Sequence, residues 1–311
     1  GSMVSVEGTW ESGPTTVIPN HSYAATAGTR DAFIMAGPSL HSGSAIYDGI
    51  SWQRTSDVTT RGHGYSSANC GIGGVDGAFI MRYMSGTQQG NDTTGKYGPF
   101  PSPPAVHAVL QEFWDGIGWY RGPTTTATHV KRNGSAGKIG SVNSHVAFNG
   151  DDYPTATGVA GWDGVTWHDI GPHTPVARDY GGGFGSIYAG VMAGGGYPAP
   201  AVISTCVDEW NGTSWSTATA LPSAQSGGGA GTQNAGLVTG GNHGAYASSE
   251  VQEYNGTSWS EGTSIPVNFG EPASGGSSAK AFTVQINQTY FWTGGFVTGS
   301  ITTNTDKGYN P

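Results

Sequence analysis

Short apolar runs punctuate the chain, each preceded by Gly-rich and small residues and each followed by an aromatic segment. The runs are Ala32-Phe33-Ile34-Met35-Ala36, Ala78-Phe79-Ile80-Met81, His145-Val146-Ala147-Phe148, Ile187-Tyr188-Ala189-Gly190-Val191-Met192 and Ala235-Gly236-Leu237-Val238. Runs this short, bounded by Gly and Pro and containing β-branched residues, predict strands rather than helices. The segment after them repeats. Val-Asp-Glu-Trp-Asn-Gly-Thr-Ser-Trp-Ser-Thr-Ala-Thr-Ala-Leu-Pro at 207–222 returns as Val-Gln-Glu-Tyr-Asn-Gly-Thr-Ser-Trp-Ser-Glu-Gly-Thr-Ser-Ile-Pro at 251–266. Its core is an aromatic, then Asn or Asp, Gly, two further residues, and Trp. The same core reads Tyr47-Asp48-Gly49-Ile50-Ser51-Trp52, Trp114-Asp115-Gly116-Ile117-Gly118-Trp119 and Trp162-Asp163-Gly164-Val165-Thr166-Trp167.

Asn-Gly and Asp-Gly favour type I′ hairpin turns, whose central residues need positive φ. Flanking aromatic and β-branched residues suit strands. Each copy therefore predicts a tight antiparallel hairpin, with a loop of either two or four residues. Its two aromatics, Trp210 and Trp215 for example, are near enough to pair across the strands, at roughly 0.2–1 kcal/mol per pair. The full unit is then four strands: a Gly-rich strand, an apolar strand ending in small residues such as Gly194-Gly195, Gly240-Gly241 or Gly294-Gly295, and the two arms of the hairpin. A four-stranded unit recurring every 40–50 residues or so is the mark of a β-propeller blade.

Tryptophans in the last-strand position are Trp10, Trp52, Trp119, Trp167, Trp215 and Trp259, at spacings of 42, 67, 48, 48 and 44. Trp10 lacks the first arm of its hairpin, and Thr305-Asp306-Lys307-Gly308-Tyr309-Asn310 at the other end matches that arm. The expected fold is all-β: a six-bladed propeller of four-stranded antiparallel blades, closed by N- and C-terminal strands sharing one blade. The expected blades are about 14–55, 61–121, 127–169, 176–217, 223–262, and 267–311 plus 4–12, in one domain over 1–311. Closure would remove the unpaired edges that invite aggregation. The wide second spacing comes from an insertion at 85–107, rich in Gly, Pro and polar residues and read as a loop, of a length that is usually either functional or disordered.

A Gly pair closing the second strand, an aromatic followed by Asn or Asp, and then Trp resemble the kelch repeat over essentially the whole chain. The form Trp-Asn-Gly-Thr-Ser-Trp, with Gly-Ala-Gly-Thr-Gln before the apolar strand, resembles kelch-like repeats of bacteriophage virion and tail proteins. The resemblance implies a propeller on an extracellular particle. It also implies that a cationic residue where the first strand begins bonds neighbouring loops.

Composition narrows the function. Charged residues make up 11% of the chain, less than half the usual share, so Ser and Thr carry the polar surface. Net charge is −9 with 12 Lys plus Arg, which argues against phosphate-backbone binding. No apolar run approaches the roughly 20 residues of a membrane-spanning helix. Gly1-Ser2-Met3 reads as a tag remnant before the native start, which leaves open whether a leader peptide has been removed. Cys70 and Cys206 fall in different blades and are expected as separate small hydrophobes rather than a disulfide.

The beginnings of the innermost strands align as a ring of short triplets. They contain His21 and Tyr23, His63 and Tyr65, Arg132, the run Arg178-Asp179-Tyr180, Gln225, and Glu271. The insertion overhangs this ring and adds Tyr97 and Phe100. Aromatic faces beside hydrogen-bonding groups suit a sugar; a purely structural role in bonding loops is the competing reading. No His pair has metal-ligand spacing, Asp151-Asp152 reads as a solvated turn, and no cofactor, metal or catalytic cluster is expected. The sequence therefore points to a non-enzymatic virion protein that binds a host-surface glycan or protein and other virion proteins. It should bind no nucleic acid and insert in no membrane. A bacterial surface or secreted lectin is the alternative, and a kelch-type enzyme a more distant one.

Overall fold

The computed structural model describes residues 9–12, 14, 17–18, 25–29, 32–37, 42–59, 70–84, 108–122, 137–141, 143–148, 159–171, 174–176, 178, 181–197, 202–243, 246–264, 282–284, 290–297 and 301–310. No helix occurs among them; the described chain is all-β, arranged in small antiparallel sheets.

The chain opens with β1 (Thr9–Ser12), whose partner comes last. Sheet I contains β2 (Ala25–Thr29), β3 (Ala32–Ala36), β4 (Ser44–Tyr47) and β5 (Trp52–Arg54). Sheet II contains β6 (Cys70–Gly74), β7 (Gly77–Met84), β8 (Ala108–Trp114) and β9 (Trp119–Arg121). Sheet III contains β10 (Gly137–Ser141), β11 (Ser144–Phe148), β12 (Val159–Trp162) and β13 (Trp167–Asp169). Sheet IV contains β14 (Gly182–Ser186), β15 (Ala189–Ala193), β18 (Val207–Trp210) and β19 (Trp215–Thr217), while β16 (Gly196–Tyr197) and β17 (Val202–Ile203) form a separate two-stranded ribbon in the connection from β15 to β18. Sheet V contains β20 (Ser226–Thr232), β21 (Ala235–His243), the short β22 (Tyr246–Ala247), β23 (Val251–Tyr254) and β24 (Trp259–Gly262). Sheet VI contains β25 (Phe282–Val284), β26 (Tyr290–Val297), β27 (Ile301–Asn310) and, on its outer edge, β1.

Within each sheet the strands pair in chain order, and β1 joins β27 with Trp10 opposite Tyr309. That register repeats the aromatic pair of every hairpin from two segments at opposite ends of the chain. The first strands also touch one another: β2 lies against β6 and β25, β6 against β10, β10 against β14, β14 against β20, and β20 against β25. Glycine makes this approach possible. A Cβ on Gly229 of β20 would fall 2.8 Å from the Gly182 carbonyl carbon of β14, and one on Gly182 would fall 3.1 Å from the Gly229 Cα.

The hairpin loops are four residues long. Tyr47 sits directly opposite Trp52, Trp114 opposite Trp119, Trp162 opposite Trp167, Trp210 opposite Trp215, and Tyr254 opposite Trp259. A two-residue turn centred on Asp48-Gly49 would shift this register and separate the aromatics. The Asp or Asn side chain closes the longer loop instead: Asn211 Oδ1 accepts from Thr213 N and Ser214 N, both at 2.9 Å, while Gly212 takes φ of 93°. Ring centroids of the pairs lie 5.3 Å apart in Tyr47–Trp52 and Trp210–Trp215 and 4.7 Å apart in the stacked Tyr254–Trp259.

The two aromatics of a hairpin do different work. In sheets II and IV the first reaches back within its own sheet, as Trp114 Nε1 donates to Val75 O at 2.7 Å and Trp210 Nε1 to Ile187 O at 2.8 Å, whereas Tyr254 Oη of sheet V donates to Glu209 Oε1 of sheet IV at 2.7 Å. The second faces the preceding sheet. Trp119 Nε1 donates to Ser44 Oγ at 3.2 Å, and Trp259 Nε1 to Thr219 O at 3.0 Å. Apolar clusters fill the space between successive sheets. Ala27, Ile34 and Ala36 meet Ala78, Ile80, Trp114 and Trp119; Val146 and Phe148 meet Met192, Trp210 and Trp215; Phe184, Val191 and Val207 meet Val238 and Tyr254. One expected strand start moves: Ile187 and Tyr188 form a turn, closed by Ala189 N donating to Ser186 Oγ at 3.1 Å, and β15 begins at Ala189.

Candidate functional site

Two of the residues expected to ring the face where the first strands begin, Arg178 and Gln225, fall among the described residues, and both are 0% exposed. His21, Tyr23, His63, Tyr65, Tyr97, Phe100, Arg132, Asp179, Tyr180 and Glu271 lie outside the described residues.

Arg178 precedes β14 and turns into its own sheet. Its Nη1 donates to Gly194 O at 3.1 Å and to Cys206 O, and its Nη2 donates to Asp208. Asp208 on β18 is buried and accepts a further bond from Thr217 Oγ1 at 3.4 Å. Burial raises the Asp208 carboxyl pKa, while the Arg178 guanidinium pulls it down. Gln225 precedes β20 and meets the corresponding acceptors of sheet V. Its Nε2 donates to Gly240 O at 2.8 Å and to Glu250 O at 3.0 Å, and its Oε1 accepts from Gln252 Nε2 at 2.7 Å. Gln252 also bonds Ser223, and Ser223 Oγ donates to Glu250 Oε2.

Arg178 and Gln225 therefore tie the segment leading into a sheet to the far ends of its second and third strands. The buried guanidinium and the buried amide thus spend their donors on carbonyls and side chains of their own sheets. Sheet II shows a third version: Thr59 N donates to the buried Glu112 Oε1 at 2.7 Å, and Thr59 Oγ1 donates to the same oxygen. In sheet I the position is Ala45, packed on Ile18. The sequence reading missed Glu112, Asp208 and Gln252. Their signal was present, because each stands two residues before the hairpin aromatic, where the alternation of a strand points inward.

At the other end of the strands, the turn between the first two strands lies against the hairpin loop. A Cβ on Gly116 would come within 3.5 Å of Asp76 O, on Gly164 within 3.1 Å of Asn143 O, and on Gly256 within 3.0 Å of Asn234 Cα. The loops fall into two chemical kinds. Sheets I–III carry Asp48, Asp115 and Asp163; sheets IV and V carry Asn211 and Asn255. Backbone donors hold all three carboxyls below the ordinary carboxylate range, chiefly Ser51 N at Asp48, Gly118 N at Asp115 and Thr166 N at Asp163. His168 Nε2 adds a 2.6 Å contact to Asp163 Oδ2. Cys206 is a free, half-buried thiol. Among the described residues no group of His, Cys, Asp and Glu is arranged to hold a metal ion.

No family model matches the chain, and no curated protein matches it in sequence. Solved structures do: among 190 matching chains is one described as "Structure of YjhT", with a TM-score of 0.67 at 10% sequence identity, covering 93% of this chain and 94% of that one. At that identity the likeness concerns the fold alone.

Proposed function

We propose that the sheets are blades of one closed six-bladed, kelch-like propeller, and that the propeller is a non-enzymatic attachment protein of a virion, binding a host-surface glycan. The observation that supports this most is a constant body with a variable rim. Each sheet is built of the same four strands, and the connection between the second and third strands is what differs. It is a short loop in sheet I, where Gly37 N donates to Gly43 O at 2.8 Å; it is a long insertion in sheet II and a ribbon in sheet IV. A rigid scaffold with divergent connections on one rim is how proteins present binding surfaces. Buried polar groups such as Arg178 and Gln225 serve the body, which leaves Tyr23, Tyr65, Tyr180, His21 and His63, aligned with them in the sequence, as the candidates for contact. Aromatic and hydroxyl-rich surfaces of low charge match the apolar faces and hydroxyls of sugars. Weak single-site affinity would be raised by many copies on one particle.

The test is a glycan array probed with the chain clustered on beads. A family of related hits, competed by the free sugar and lost when Tyr23, Tyr65 and Tyr180 are replaced by Ala, is the expected result. A blank array with folded protein would overturn the glycan reading. Binding that survives the triple replacement would remove the ring from it.

A further inference from the structure

We infer that the turn rim of sheets I–III is a docking surface for a second protein, one whose contact patch is apolar and framed by Lys or Arg. This rim lies at the opposite end of the strands from the proposed glycan ring, and the inference does not depend on that reading.

The third residue of each hairpin loop carries the argument. In sheets I–III it is Ile50, Ile117 and Val165, exposed to 82%, 84% and 70%. A single exposed aliphatic is ordinary on a soluble surface. Here the molecule contains its own control. Sheets IV and V place Thr213 and Thr257 at the same loop position. The loop engages only the backbone of that residue, and does so identically in both kinds. Ile50 N and Ile117 N reach their Asp Oδ1 at 2.9 Å and Val165 N at 2.8 Å, while Thr213 N reaches its Asn Oδ1 at 2.9 Å and Thr257 N at 3.0 Å. The turn is therefore indifferent to the side chain, and folding does not require an aliphatic where Thr serves equally well. Val and Thr even share a shape. Three successive sheets nonetheless present a branched aliphatic to water. The sheets are packed neighbours: Ser56 Oγ, leaving sheet I, donates to Ile117 O at 3.4 Å, and Phe113 of sheet II lies 5.8 Å from Trp162 of sheet III.

Charge selects the occupant. Every aliphatic in the row sits two residues from an Asp held ionised by backbone donors, whereas the Thr loops carry neutral Asn. A second copy would oppose this anionic row with its own, in a chain with 21 Asp plus Glu against 12 Lys plus Arg. Ile and Val offer a sugar no aromatic face to stack on. A protein with apolar anchors among Lys or Arg matches both features.

The experiment uses the full chain and two synthetic amphipathic helices, one of Leu and Lys and one of Leu and Glu, followed by fluorescence anisotropy at low and high salt. The Leu/Lys helix should bind and the Leu/Glu helix should not. The variant I50T/I117T/V165T places Thr where the Asn loops already carry it, at a position held only through its backbone, so its melting curve should match the parent while its affinity for the Leu/Lys helix falls at least about tenfold. The variant D48N/D115N/D163N should lose most of the salt dependence. Undiminished binding by the Thr variant, or no binding of the Leu/Lys helix by the parent, would overturn the inference. A parent that sediments as a dimer and a Thr variant that sediments as a monomer would also overturn it, since a second copy would then be the occupant.

Discussion

Sheets IV and V bury polar groups at equivalent places and satisfy them differently. Arg178 and Asp208 form an ion pair with two carbonyls as further acceptors; Gln225 and Gln252 form an uncharged network with the corresponding carbonyls and Ser223. The geometry of the sheets is the same, so what the position demands is a donor for two carbonyls and not a charge. The charged solution differs in how it fails. Removing one member of a buried pair strands an uncompensated charge, whereas removing one amide strands a neutral group.

The largest expected effect follows from that asymmetry. Asp208→Ala should destabilise the protein by about 3–5 kcal/mol, and Gln252→Ala by about 1–3 kcal/mol, compared by urea unfolding under identical conditions. Equal losses would mean that the two sheets are not distinguished by charge. The comparison sharpens if sheet V is copied into sheet IV: Arg178→Gln combined with Asp208→Gln should lose less than Asp208→Ala alone, because the double replacement leaves no unpaired charge.

A second contrast separates sheets I and III, at the strand that each offers to the following sheet. Trp119 donates to Ser44 Oγ in the preceding sheet, while Val159 holds the position of Ser44 beside Trp215, whose Nε1 finds no acceptor among the described residues. Ser44→Val should therefore cost about 1 kcal/mol, the worth of one hydrogen bond, read from the shift in the urea midpoint.

Smaller effects belong to the hairpin loops. Asn211→Asp should change stability by less than about 0.5 kcal/mol, because Asp163 already makes the same loop with its Oδ1 2.7 Å from Thr166 N. Gly212→Ala should cost about 1–2 kcal/mol for a side chain at positive φ; differential scanning calorimetry resolves the two. The Asp loops should also sense acid while the Asn loops do not. Their folded pKa values lie below the unfolded one, so the stabilisation they contribute is present above about pH 4 and lost as pH falls through the folded value. The amide resonances of Ser51, Gly118 and Thr166 should titrate with depressed midpoints, and those of Ser214 and Ser258 should stay in place.

Much of the architecture was legible in the sequence because the repeat displays it. The aromatic pairs and the pairing of Trp10 with Tyr309 follow from matching one copy against another. Loop length did not follow, because Asn-Gly suits a two-residue turn as well as a four-residue one closed by the Asn side chain. Ile187 and Tyr188 read as strand on composition alone, and the Ser186 hydroxyl made them a turn. Arg178 and Gln225 aligned correctly as a recurring position, but whether a polar side chain points out toward a ligand or in toward two carbonyls depends on acceptors more than ten residues away. Gly194 and Cys206 supply them for Arg178, and no local pattern announces them.

The seam between β1 and β27 has a mechanical consequence. Thr9 faces Asn310, so the two chain ends leave the same end of an antiparallel pair. Tension applied between those ends would load the Thr9–Asn310 bonds first and open the seam one pair at a time, as a zipper. Strands pulled along their length would share the load across every bond at once. Stretched between its ends in an optical trap, the molecule should first yield at low force with a short extension, and only then resist.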